Sequence, residues 1–216
     1  MFEFLKTIPM TITVTLGTLV LFQFPELAAL FEYDVLMSPL HQIQGLFGSH
    51  LLHWSADHLF WDLGMFVLFG VICERSHPFA TLVAIIASAI LIPMFVGVFH
   101  PNVVTYRGLS GLDTALFSLA AVNMGVERFR ESDRLGIALS SGLFLGMILK
   151  IASECVSGIT MFVESGSFTP VPIAHVIGAV VGLVCAAWIS IQSRAEVQSN
   201  GGKKPTSNRW CTLDAG

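Results

Sequence analysis

FATLVAIIASAILIPMFVGVF, the stretch at residues 79–99, contains no charged residue and is long enough to cross a lipid bilayer as a helix. Crossing the roughly 30 Å hydrocarbon layer takes about 20 helical residues, each rising about 1.5 Å. Apolar runs on either side predict five further spans, at residues 8–24, 53–73, 110–126, 135–153 and 171–193. Because the chain is 54% hydrophobic and only 12% charged, we predict an all-α membrane protein with six transmembrane helices.

The predicted membrane domain occupies residues 1–193, and a polar tail follows at residues 194–216. The tail is rich in Gly and Ser, so we expect it to be disordered. The net charge of -4 and the lack of a basic stripe argue against a nucleic-acid partner. The lipid bilayer is the partner that this composition implies, and no sequence pattern indicates a cofactor.

The distribution of basic residues predicts the orientation in the membrane. Six spans would place both termini on one side, and basic residues concentrate on the cytoplasmic side. Of the 11 basic residues, all but Arg107 and Lys150 fall on the side of the termini. Both termini are therefore predicted to be cytoplasmic, and the first loop, residues 24–52, to face outward.

Three polar residues in separate spans are predicted to lie at a similar depth below the outer surface. Counted from the first cytoplasmic charge after each span, His58, Ser110 and His175 lie roughly 24, 26 and 29 Å away. Asp62 follows His58 on the same helical face, roughly 6 Å deeper. Polar residues inside spans are costly and mark functional sites, so this shared level predicts a site.

Glycines in the last span indicate which helices touch. Gly178 and Gly182 share a helical face with His175, and their G-x-x-x-G spacing allows close helix approach. Gly111 begins a matching face of small residues beside Ser110. We therefore expect the fourth and sixth spans to pack directly together and to bring Ser110 within hydrogen-bond reach of His175.

These residue types suit acyl transfer. A serine hydroxyl becomes a nucleophile when a base takes its proton, and an imidazole is the usual base near neutral pH. Ser110 and His175 could supply this pair. The oxyanion that forms needs fixed donors, for which the backbone N–H of Ser110 and the ring of His58 are candidates.

Three segments resemble the motifs of rhomboid intramembrane serine proteases. They are SHLLHWSADHLFWDLGMFVLFGVICE (49–74), YRGLSGLDTALF (106–117) and AHVIGAVVG (174–182). In the second segment, Gly108, Ser110 and Gly111 form the G-x-S-G signature. The resemblance implies a rhomboid-like bundle with Ser110 as nucleophile and His175 as base. It also implies a transmembrane or membrane-anchored protein substrate, cleaved near the outer face.

The compact form with a short N-terminus also resembles the rhombosortase branch, which is associated with trimming C-terminally anchored surface proteins. By this resemblance we predict an integral protein of the bacterial inner (plasma) membrane.

Two positions depart from the family pattern. Asp62 stands where rhomboids usually carry Asn, and Thr114 stands where many carry Tyr. Asp62 could donate to an oxyanion only if protonated; alternatively, it orients His58 or His175. The Trp–Arg pair of the family's first loop is also absent, which leaves the conformation of that loop open.

The remaining polar residues have structural interpretations. Asp113 is expected to cap the start of its helix or to pair with Arg107. Glu154 and Glu164 are expected to be solvated loop acids.

Other classes of function fit less well. A metal site would draw on His50, His53, His58 and Asp62, but their spacing is unsuitable and no H-E-x-x-H pattern exists, so we predict no metal. His53 and Trp54 are expected at the membrane interface. A transporter using His and Asp as a proton relay typically has repeated halves, and no repeat is visible. A catalytically inactive, client-binding rhomboid-like protein remains an alternative because of Asp62.

Overall fold

The computed structural model describes residues 2–100, 102–163 and 169–199, most of which are helical. The helices and strands are, in chain order, α1 (Phe2–Leu5), α2 (Pro9–Phe22), α3 (Ala28–Phe31), β1 (Tyr33–Asp34), α4 (Pro39–Gly48), α5 (Ala56–Ser76), α6 (Pro78–Phe99), β2 (Thr105–Tyr106), α7 (Ser110–Arg130), α8 (Arg134–Ser157) and α9 (Pro172–Ser199). Four of the longer helices begin with proline, whose fixed φ suits the first turn and whose missing N–H is not needed there. These prolines are Pro9, Pro39, Pro78 and Pro172.

Helices occupy all six predicted positions, but the count of six spans is not confirmed. Within the described residues, α5, α6, α8 and α9 are long and apolar enough to cross a membrane. α2 passes the same test only together with residues 25–31, across a bend of 102°. α7 is less apolar because other helices enclose it, and it carries buried polar residues such as Asn123.

α7 lies at the centre of the bundle and packs against α5, α6, α8 and α9. Its leucines at 112, 116 and 119 are buried in the core. The outer helices leave large apolar side chains exposed, among them Leu68, Val98 and Val184. An apolar outer surface of this kind is suited to lipid.

α7 and α9, which correspond to the fourth and sixth predicted spans, pack directly together. A Cβ atom placed on Gly182 would overlap the carbonyl oxygen of Ala115, and one placed on Gly178 would overlap that of Gly111. The two backbones therefore touch without intervening side chains, as small-residue helix interfaces in membranes do.

The first loop folds back onto the segment that precedes α7. β1 pairs antiparallel with β2, with Tyr33 opposite Tyr106. Glu32 in the same loop lies 2.6 Å from Arg107 Nη2, and the Arg107 guanidinium lies 4.1 Å from the centre of the Trp54 ring. A Trp–Arg contact thus exists here, although its residues differ from those of the family pattern.

Glu74 ties the start of α2 to the end of α5. Its carboxylate accepts hydrogen bonds from the backbone N–H groups of Met10 and Thr11, at 2.7 and 2.8 Å, and from the Thr11 hydroxyl at 2.7 Å. An anion is favourable at the N-terminus of a helix, where backbone N–H groups have no partner within the helix. This contact positions α2 on the bundle.

α9 continues to Ser199, beyond the predicted start of the tail at Arg194. The helix therefore includes the first residues of the predicted tail. The rest of that tail, residues 200–216, and Glu164 lie outside the described residues.

Candidate active site

Ser110 is the first residue of α7 and follows a tight turn at Gly108. Gly108 has a φ of 125°, a conformation that glycine adopts far more readily than other residues. A side chain here would also approach the His58 ring to 3.0 Å. The turn therefore requires glycine, and it places the Ser110 N–H among the unpaired donors at the start of a helix.

The contact between α7 and α9 brings His175 beside the start of α7. A Cβ atom on Gly111 would lie 3.0 Å from the carbonyl oxygen of Ala174. Gly111 follows Ser110 and Ala174 precedes His175, so the two candidate catalytic residues flank one point of backbone contact. The glycine face predicted for α9 creates this proximity.

Ser110 and His175 line the same cavity, which has a volume of about 920 Å³. His58, Asp62 and Asp113 also line it. The walls include α5, α7 and α9, which correspond to the second, fourth and sixth predicted spans. α8 forms a further wall, and the segment that follows α8 also contributes.

Asp62 is buried among donors at the end of the cavity near α5. Its Oδ2 lies 3.2 Å from His58 Nε2 and 3.3 Å from His53 Nε2, and it accepts a hydrogen bond of 3.0 Å from the Leu109 N–H. Of the roles that the sequence leaves open for Asp62, orientation of His58 agrees with these contacts. His53, which is expected at the membrane interface, is buried against Asp62.

The prediction that Glu154 is a solvated loop acid is wrong. Glu154 lies within α8, is only 2% exposed, and places Oε2 2.7 Å from Nδ1 of His175. Lys150, one turn earlier in α8, lies 2.9 Å from the same carboxylate. An acid and a base four residues apart at the end of an apolar helix are unusual. That pair is the sequence signal that could have revealed Glu154.

Asp113 lies in the cavity one turn after Ser110, where it accepts a hydrogen bond of 3.3 Å from the Thr114 hydroxyl. Of its two expected structural roles, the pairing with Arg107 is not seen, because Arg107 binds Glu32 instead. The Thr114 hydroxyl also lies 2.6 Å from the Ser110 carbonyl oxygen. Thr114 thus stabilises the first turn of α7.

His50 contacts the backbone of the turn that precedes Ser110. Its Nδ1 lies 3.0 Å from the Gly108 carbonyl oxygen and its Nε2 lies 3.2 Å from that of Ala89. Both ring nitrogens of His50 thus face backbone carbonyl oxygens rather than a metal site shared with other side chains. Within residues 2–100, 102–163 and 169–199, no three His, Cys, Asp or Glu side chains converge in a way that could hold a metal.

We expect the stability of the protein to fall in mildly acidic solution because of His50. Burial lowers the pKa of His50 from 6.5 to about 4, although the carbonyls of Gly108 and Ala89 favour the charged ring. Between pH 6.5 and 4 the unfolded chain therefore binds a proton that the folded chain excludes. The free energy of unfolding should drop by about 3 kcal/mol across this range and then level off.

Thermal unfolding in detergent from pH 7.5 to 4 measures this effect. The His50→Asn variant, whose amide can still donate to the Gly108 carbonyl, should lose that part of the pH dependence. An equally steep fall in this variant would contradict the assignment to His50.

A comparison with protein families matches a Rhomboid domain to residues 40–192. The chain belongs to the rhomboid family. The match covers α4 to α8 and most of α9. It includes the cavity residues named above, namely His58, Asp62, Ser110, Asp113 and His175. No curated protein matches the sequence of this rhomboid.

Rhomboids are generally intramembrane serine proteases, although inactive members exist. Membership of the family and the apolar helices identify this rhomboid as an integral membrane protein. Two sets of contacts in this rhomboid bear on whether the site is active. They are the contacts of Asp62 with His53 and His58, and the contact between Glu154 and His175.

Proposed function

We propose that this rhomboid is an intramembrane serine endopeptidase that cleaves a transmembrane or membrane-anchored protein near the outer membrane face. The observation that carries the proposal is the placement of Ser110 and His175 in one cavity, on either side of the backbone contact between α7 and α9. The cavity is large enough to admit a short extended segment of substrate. We propose a bacterial inner membrane because of the resemblance to the rhombosortase branch, and cytoplasmic termini because basic residues concentrate on that side.

The reaction begins when Ser110 Oγ attacks the substrate carbonyl carbon and its proton moves to His175. The tetrahedral intermediate then expels the amine of the leaving segment, which takes the proton from His175. An acyl-enzyme remains on Ser110. His175 next removes a proton from water, the hydroxide attacks the acyl carbon, and release of the acid product returns the proton to Ser110.

The oxyanion needs donors directed at the cavity. The N–H of Ser110, at the start of α7, is one such donor. His58 is the second when its ring turns from Asp62 toward the substrate. Gly108 and Gly111 support this arrangement, since the first permits the turn and the second permits the close approach of α9.

The second candidate is an inactive rhomboid that binds and retains client proteins. One observation favours it: Asp62 lies 3.2 Å from His58 Nε2, and a carboxylate at this position competes with an oxyanion for that donor. An ionised Asp62 would also repel the negative charge that develops in the transition state.

Labelling with a fluorophosphonate probe separates the two candidates. We expect the purified, detergent-solubilised wild type to be labelled, and the Ser110→Ala and His175→Ala variants to remain unlabelled although folded. Ser118→Ala is the matched control, because Ser118 also lies on α7 but donates to the Ala179 carbonyl oxygen at the α9 contact. This variant should be labelled like the wild type.

A folded wild type without labelling would favour the client-binding candidate. Labelling that persists in Ser110→Ala would assign the reactive group to another residue. A rhombosortase assignment requires a further result, namely cleavage of a C-terminally anchored surface protein by the wild type and not by Ser110→Ala.

A further inference from the structure

The carboxylate of Glu154 lies directly behind His175, on the side of the ring that carries Nδ1. We propose that Glu154 is a positioning residue that acts through His175 and completes a Ser110–His175–Glu154 triad. This inference rests on the proposed protease function. It differs from a two-residue Ser–His mechanism because the orientation and charge of the base then depend on a third side chain.

The first support is the geometry of the pair. Glu154 Oε2 and His175 Nδ1 are 2.7 Å apart, and both residues are buried. A distance this short is typical of a hydrogen bond to a charged group. Because the two residues come from α8 and α9, the contact forms only when these helices are assembled at the cavity.

The second support is the set of partners that hold the carboxylate. Lys150 Nζ lies 2.9 Å from Oε1 and 3.0 Å from Oε2 of Glu154. The backbone N–H of Met161 donates to Oε1 at 3.2 Å. With a cation and a backbone donor on its other side, the carboxylate has little freedom to rotate away from the ring.

The chemical role of Glu154 follows from its contact with Nδ1, rather than Nε2, of the His175 ring. A carboxylate at Nδ1 accepts the proton carried there, and this selects the tautomer whose lone pair is on Nε2. Nε2 is then the atom that takes the proton from Ser110 Oγ. While the ring is positively charged, the negative charge of Glu154 stabilises it, and Glu154 itself gains no proton.

A purely structural role makes a different prediction. If Glu154 serves only to neutralise Lys150 and to hold the segment at Met161, then loss of either charged partner should have the same effect. In a triad, loss of Glu154 should reduce the reaction rate far more than loss of Lys150, because only Glu154 contacts the base.

The test compares Glu154→Gln with Lys150→Gln in detergent, using the maximal rate of fluorophosphonate adduct formation at saturating probe. We expect Glu154→Gln to slow this rate by about 10²–10⁴-fold, while the probe concentration for half-maximal rate and the melting temperature stay close to those of wild type. Lys150→Gln should slow the rate by less than about tenfold. Glu154→Asp keeps the charge but shortens the side chain, so its rate should fall between those of wild type and Glu154→Gln.

If folded Glu154→Gln is labelled within threefold of the wild-type rate, the triad is wrong while the protease function stands. If Lys150→Gln loses as much rate as Glu154→Gln, the structural role is correct and the triad is again wrong. Should the glutamine variant unfold, the folded Glu154→Asp variant decides, since a wild-type rate there would also overturn the proposal. A folded wild type that is never labelled contradicts the protease function itself, and the triad with it.

Discussion

Replacing Gly178 by alanine should force α7 and α9 apart, strongly destabilise the protein and abolish probe labelling. The added methyl group would overlap the Gly111 carbonyl oxygen and approach the Ala115 nitrogen to 3.3 Å. Both obstacles are backbone atoms, so no side chain can rotate to make room. Overpacking of a core costs about 1–3 kcal/mol, and the cost rises when two whole helices must move apart.

The measurement is thermal unfolding in detergent together with fluorophosphonate labelling. Gly64→Ala is the matched control, because a Cβ atom at this helical glycine of α5 would meet nothing within 4 Å. Alanine is favoured over glycine in a helix by about 1 kcal/mol, so this control should be as stable as wild type or more so. A Gly178→Ala protein with wild-type stability and labelling would contradict the backbone contact between α7 and α9.

The Asp62→Ala variant should also be strongly destabilised. It would leave the Leu109 N–H buried without its acceptor and would remove the carboxylate that His53 and His58 share. Removing one partner from a buried charged cluster typically costs about 3–5 kcal/mol. Because Leu109 directly precedes Ser110, we also expect the turn before Ser110 to shift and labelling to fall at least about 100-fold.

The Asp62→Asn variant keeps the shape of the side chain but removes its negative charge. The amide oxygen can still accept from the Leu109 N–H, so this variant should fold. Its labelling rate, relative to wild type, then reports whether the negative charge matters. Full activity in Asp62→Asn would argue against a special role for an ionised Asp62, and full stability in Asp62→Ala would contradict the buried cluster itself.

The positions of the long helices could be predicted from sequence because apolar runs and breakers are local features. The run at residues 79–99 corresponds to a helix at Pro78–Phe99. The close packing of α7 on α9 could also be predicted, since Gly178 and Gly182 mark the face of α9 that approaches its neighbour. Both inferences depend on spacing within one helix, which the sequence shows directly.

The partners of the buried charges could not be predicted in the same way. Glu32 and Arg107 are 75 residues apart in sequence, and no helical or strand spacing connects them. Glu154 lies 21 residues before His175, across a loop whose path decides whether they meet. The number of membrane spans could not be predicted from hydropathy alone either. The central helix α7 is enclosed by other helices, so it need not be uniformly apolar.

The enclosure of α7 has a consequence for biosynthesis. A nascent segment that is not apolar enough to enter lipid alone can be inserted only with neighbours that cover its polar side chains. α5 and α6 are synthesised before α7, whereas α8 and α9 follow it. We therefore expect α7, the helix that begins with Ser110, to reach its final position late and together with α9. If the proposed protease function is correct, an incomplete chain would then not present a reactive serine to other proteins of its membrane.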